Sequence, residues 1–198
     1  METAIMIIVG IGLSAACGFR VFLPLLVMNL ASLTGYLPLA PGFEWVGGTP
    51  AMIVFATATV VELLAYYLPW MDNILDTITT PAAMVAGVVA TASVLTDVSP
   101  LLKWTLAIIA GGGAAAIVQG VTSTLRLGST ALTGGAGNPV IATGEWIGAI
   151  LTALLAIAVP VICLILLVLF VIYVIRKAGR LFFGRRPQGD RSGSQNAA

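Results

Sequence analysis

Five apolar stretches, at roughly 4–28, 50–69, 77–95, 101–125 and 146–175, fix the class of fold before any motif is considered. Each reaches the ~20 residues that an α-helix needs to cross the hydrocarbon of a bilayer. In lipid the backbone amides find no water, so a spanning segment has to satisfy its own N–H and C=O groups, as a helix does. Composition agrees, with 59% hydrophobic and 9% charged residues, against the ~25% charged that is usual in a soluble domain. Mean hydropathy is +1.07. The sequence therefore predicts an all-α, polytopic transmembrane helical bundle of about five spans. Pro69-Trp70-Met71-Asp72-Asn73 and Thr96-Asp97-Val98-Ser99-Pro100 separate the second, third and fourth spans, both of them turn-type breaks. One transmembrane domain is expected over 1–186, followed by a polar, disordered tail at 187–198.

The N-terminal stretch is expected to be retained as a span. Leu13-Ser14-Ala15-Ala16-Cys17 is similar to the run before a lipidated cysteine, but Glu2 stands where a signal peptide is positive and the large aliphatic residue lies one place too far away. The chain has no His, and Cys17 and Cys163 are far apart, so neither metal-ligand spacing nor a disulfide framework is present. No cofactor is expected. Arg176, Lys177, Arg180, Arg185, Arg186 and Arg191 crowd the end of the chain, which the positive-inside rule keeps cytoplasmic; five spans then place the N-terminus outside. The same basic segment, interleaved with Leu181, Phe182 and Phe183, is suited to anionic lipid. The expected partners are the bilayer and, through the small-residue tracts Ala82–Ala92 and Gly111–Ala116, a second copy or a larger membrane complex, with no nucleic acid.

Glu44-Trp45-Val46-Gly47 recurs as Glu145-Trp146-Ile147-Gly148, and Leu33-Thr34-Gly35 precedes the first as Leu132-Thr133-Gly134 precedes the second. Such ordered self-similarity marks an internal duplication. An odd span between the copies makes the repeats inverted, an arrangement whose substrate site lies near the midplane between the halves, often lined by broken helices. Repeat one covers about 4–69, the linking span about 77–95 and repeat two about 101–175. Each repeat holds a glycine- and proline-punctuated stretch, Asn29–Gly48 and Leu127–Gly144. These read either as re-entrant segments, tolerated at membrane depth only when buried in protein or lining a cavity, or as interfacial loops. Gly134 to Pro139 lacks the Lys-Ser/Thr of a phosphate loop.

Arg20 is the most informative charge, a guanidinium inside the apolar run Gly18 to Pro24. At the bilayer centre such a group costs at least ~2.5 kcal/mol and is a functional candidate by default; near a span end it would instead snorkel to the interface. Gln119 holds the corresponding place in the second copy and Arg126 follows it, so two inward-facing donor sets would suit an anion. Asn29 and Asn138 would add neutral ligands. Glu62, late in the second span with Cys163 at its counterpart, is a candidate for proton coupling, and would meet Arg20 directly only if the first span were broken. Glu44 and Glu145 each read as the first-turn acid of a helix, favoured by the helix dipole, or else as a pair of gating carboxylates on opposite faces. Pro160 is expected to kink the last span, and Gly111-Gly112-Gly113 to bend the fourth.

Gly18-Phe19-Arg20 through Pro24, the Leu-Thr-Gly and Glu-Trp elements, and Gly137-Asn138-Pro139 resemble a family of small bacterial integral membrane proteins classed as a domain of unknown function, over most of 4–170. The resemblance implies the bacterial cytoplasmic membrane and carries no activity. Read together, these features predict a small transporter or channel for an ion, a small anion or an anionic lipid headgroup, or alternatively a non-catalytic scaffold or accessory subunit. Nothing in the residues forms a nucleophile–base pair or paired acids of catalytic spacing, so an enzyme is not expected. The orientation has a direct test: a cysteine introduced near Gln188 is expected to resist a membrane-impermeant thiol reagent in intact cells, and labelling from outside would overturn the five-span topology.

Overall fold

The computed structural model describes residues 2–66 and 71–183. Among these residues every regular element is a helix. The helices are α1 (Glu2–Phe19), α2 (Phe22–Leu33), α3 (Thr49–Tyr66), α4 (Met71–Val94), α5 (Pro100–Leu106), α6 (Gly113–Thr133), α7 (Asn138–Ala158) and α8 (Pro160–Phe183). A 3-10 turn at Glu44–Gly47 precedes α3, and a π-helical turn at Ala107–Gly112 joins α5 to α6. The predicted tail at 187–198 and most of the break before Met71 lie outside the described residues.

Four helical stretches are long and apolar enough to cross a membrane, Glu2–Phe19, Thr77–Val94, Pro100–Thr133 and Asn138–Ala158, with shorter apolar helices at Phe22–Leu33, Thr49–Ala65 and Pro160–Tyr173. Ile53, Val54, Val61 and Leu64 of α3 and Ile162, Ile165, Leu166 and Leu169 of α8 are exposed. A continuous aliphatic exterior on this scale is untenable in water and is what lipid requires. The chain is a multi-pass membrane protein.

Proline chemistry sets the two departures from the expected spans. The first span, expected over 4–28, is two helices divided at Arg20–Val21. Pro24 has no N–H to give the Arg20 carbonyl and its ring crowds that oxygen, so one helix cannot run through; at the third position of α2 the missing donor costs nothing. The last span, expected over 146–175, breaks at Val159 before Pro160, with the carbonyl of Leu155 taken by the Val159 amide at 2.8 Å.

The two glycine-rich stretches also differ from one another. Only the first is irregular over any length: Leu37, Ala40 and Val46 are buried, and the Ala40 amide donates to Ser93 O at the end of α4, 2.7 Å away. The second is almost entirely helix, interrupted by a turn at 134–137 where Gly134 caps α6 in the left-handed conformation, φ 62°, a C-cap that favours glycine.

α1 is the central helix, packed against α4, α6, α7 and α8. Its neighbours come close because both sides are small. A Cβ on Gly12 would stand 2.7 Å from Ala156 Cβ, and one on Gly18 2.5 Å from the Ala115 carbonyl oxygen. Ser14 Oγ lies 2.5 Å from Gly87 O, to which it donates, and 2.7 Å from Thr91 Oγ1. Close backbone approach with interhelical hydroxyl bonds is how transmembrane helices associate where lipid offers no hydrophobic drive. Gly87→Ala would put a methyl 2.8 Å from Ala115 Cβ and 2.9 Å from Gly111 O; it is expected to cost ~1–3 kcal/mol, read as a lower thermal midpoint in detergent. Gly120→Ala, whose added methyl meets open space, is expected to leave the midpoint unchanged or raise it.

Candidate functional site

The break at Arg20, between α1 and α2, lies where α3, α6 and α7 also meet and where the buried charges collect. Arg20, Glu62, Arg126 and Glu145 are the buried charged side chains among the described residues, each no more than 5% exposed. Arg20, freed from the helix, reaches across to α7, donating from Nη2 to Glu145 Oε2 at 2.9 Å and to Ala142 O at 3.2 Å. Arg126, on α6, donates from Nε to Glu145 Oε1 at 2.9 Å and from Nη2 to Glu145 Oε2. One carboxylate is thus gripped by the planar fork of Arg126 and overlaid by Arg20, the bidentate form in which guanidinium recognises carboxylate most strongly.

Each side chain is delivered by a small-residue face. Asn138, Ala142, Glu145, Ala149, Ala153 and Ala156 are the buried residues of α7, recurring every three or four positions as one helical stripe does. On α6 the stripe is Ala115, Val118, Gln119, Thr122 and Arg126. Alanine on one face allows the helices to approach until two arginines and a glutamate can share one point.

Glu62 holds the other side of the break. Its Oε1 accepts from the Val21 amide at 3.0 Å and its Oε2 from the Phe22 amide at 3.2 Å, so each oxygen takes one donor that the start of α2 would otherwise leave orphaned. A carboxylate at that end also complements the helix dipole. Glu62 therefore meets the residues that follow Arg20, and it stands within electrostatic range of both Arg20 and Arg126. The broken first span is what brings it there.

The other sequence candidates stand apart from the carboxylate. Gln119 is buried, with Nε2 3.4 Å from Thr79 Oγ1 and 3.5 Å from Ser123 Oγ. Asn29 closes the first connection, its Nδ2 donating to Val46 O at 2.5 Å and Gly48 O at 3.1 Å. Asn138 Nδ2 donates to Thr130 Oγ1 at 3.0 Å, tying α7 to α6 across their turn. Glu44 is exposed on the 3-10 turn, and the backbone amides of its own residue and of Gly42 hold its carboxyl below the usual range. Glu145 is not a first-turn acid: α7 starts at Asn138, with Pro139 in its first turn, so Glu145 lies two turns inside the helix. Arg126, noted in the sequence only as following Gln119, is the partner that completes the site; its place four residues after Thr122 and seven after Gln119, on one helical stripe, was the available signal. Among the described residues no group of His, Cys, Asp and Glu could hold a metal ion.

The family model described as a domain of unknown function (DUF4126) matches residues 7–180. The chain belongs to this family. The matched region of this DUF4126 protein takes in all four buried charges. No curated protein and no solved structure matches the chain.

Removing one partner of a buried ion pair strands the other charge, typically at ~3–5 kcal/mol. Glu145→Ala leaves two guanidiniums facing each other, and is expected to destabilise the detergent-solubilised protein by that amount. Arg126→Ala added to Glu145→Ala is expected to cost less than the sum of the single changes, the mark of direct coupling; strict additivity in thermal unfolding would show that the pair contributes nothing.

Proposed function

We propose that this DUF4126 protein is a small transporter or channel of the bacterial cytoplasmic membrane, built on inverted repeats with a cytoplasmic C-terminus, that passes a small anion or the anionic headgroup of a lipid. One observation carries the reading: guanidiniums from the α1–α2 break and from α6 converge on a single carboxylate in the interior. Two fixed cations around one acceptor make an anion site, and Glu145 is the protein's own occupant of it. An anion that displaces Glu145 would inherit the fork of Arg126 and the Nη2 of Arg20. A discontinuous helix beside the site supports the reading further, since half-helix termini near the midplane recur in transporters with inverted repeats.

A second reading, an accessory subunit that packs against a larger membrane complex, draws support from a different fact. The cavities are lateral and apolar; that between α6 and α8, about 370 Å³, is lined by residues such as Ile109, Ile117 and Val168.

Reconstitution into liposomes with a panel of anions separates the two. Wild type is expected to show anion-dependent flux, Arg20→Lys to impair it by keeping charge while losing the planar fork, and Arg20→Ala to abolish it. Glu145→Gln, which keeps the shape and removes the resident charge, is expected to raise anion affinity. Equal flux from all variants would sink the assignment of the site to Arg20 and Glu145, and no flux from wild type would sink the transporter and favour the accessory subunit.

A further inference from the structure

The Arg20–Glu145–Arg126 cluster leaves one buried charge with an outlook of its own. Between α3 and α4 runs a groove of about 560 Å³ lined by Phe22, Ile53, Ala58, Val61, Glu62 and Ile78, among others. This is within the ~300–1,000 Å³ of small-molecule sites. Its walls are hydrocarbon apart from Thr57, Thr79 and the carboxylate of Glu62. The groove opens on the aliphatic exterior, since Ile53, Val54, Val61 and Ile78 are themselves exposed, so access is from the lipid and not from water.

We propose that this groove binds a lipophilic organic cation, with Glu62 as its counter-ion and the Phe22 ring as an aromatic wall. Three features select that chemistry. An ionised carboxylate has about four acceptor positions, and the amides of Val21 and Phe22 each take one, which leaves acceptor capacity. Phe22 lines this groove and the adjoining one of about 470 Å³ bounded by Val21, Trp45, Phe55 and Pro81; an aromatic face beside a carboxylate is how delocalised or quaternary cations are recognised. Finally, walls that are hydrocarbon but for two threonines and one carboxylate supply too few oxygen ligands to replace the water around a small hydrated cation, so the ligand must bring its own apolar surface. Arg20 and Arg126 oppose a cation at this distance, but both are turned to Glu145, and the four buried charges, two of each sign, leave no net positive field. The site is independent of the anion reading, which concerns the opposite side of the α1–α2 break.

Tetraphenylphosphonium and its near-isosteric anion tetraphenylborate test this, measured separately by equilibrium dialysis on the full chain in detergent, with empty micelles as background. Wild type is expected to bind the phosphonium saturably and about tenfold or more tighter than the borate. Glu62→Gln is expected to erase that preference. Because Glu62→Gln disturbs the start of α2, Ala58→Phe provides a second variant: it fills the groove from its open side, keeps the carboxylate, and is expected to abolish saturable binding while the protein elutes as a single species. Equal binding of the two probes, or phosphonium binding by Ala58→Phe as in wild type, would overturn the proposal. Phosphonium preference in a protein without anion flux would keep this site and sink the anion reading, and anion flux without phosphonium preference would do the reverse, so the two failures are read apart.

Discussion

The hydrogen bond that Pro24 cannot make organises this protein. Without a donor for the Arg20 carbonyl, the first apolar run ends as one helix and restarts as another, and three things follow. The Arg20 side chain is released from a helical face and swings to α7. The amides of Val21 and Phe22 are left needing an acceptor, which Glu62 supplies from α3. α3, whose other contacts are with α2, α4 and the 3-10 turn, is thereby pinned at a defined height. A single missing N–H thus recruits an acid from one helix and a base–acid pair from two others.

Ion pairing on this scale in an apolar interior is stable only when each charge is matched. Taking a charge out of water costs several kcal/mol, which pairing offsets only in good geometry with the remaining positions filled. Glu145 has that geometry, with donors from two arginines, and Glu62 achieves it with peptide groups instead of a cation. The close packing of Gly, Ala and Ser along α1 is the mechanical condition for it, because bulkier faces would hold α6 and α7 apart from the break.

Much of this was legible in the sequence. Long apolar runs gave the helices, Pro160 gave the break before α8, and a guanidinium among aliphatic residues marked Arg20 as inward-facing. Hydropathy could not show the division of the first span, because an apolar run reads the same whether or not its carbonyls find donors; only accounting for the N–H that Pro24 lacks reveals it. Glu145 was misplaced for a related reason. Its likeness to Glu44 suggested a helix start, yet Ala142, Ala149, Ala153 and Ala156 at helical spacing already placed it on a buried stripe. The repeated tetrapeptide lands on a 3-10 turn in one copy and mid-helix in the other, so sequence likeness did not carry local structure with it. Convergence of Arg126 and Arg20 on one oxygen is a tertiary fact that no local pattern encodes.

The π-helical turn at Ala107–Gly112 has a geometric effect on everything C-terminal to it. It seats Gly111 against Gly87 and Thr91 by accommodating one more residue than an α-turn holds. Since successive residues of an α-helix are offset by ~100°, that residue sets the angular phase of the whole of α6. Tightening the turn to ordinary α geometry would rotate the helix by about that angle and carry Arg126 off the carboxylate it clasps. A wide turn more than ten residues upstream therefore acts as the indexing notch that decides which side chain of α6 faces the charge cluster.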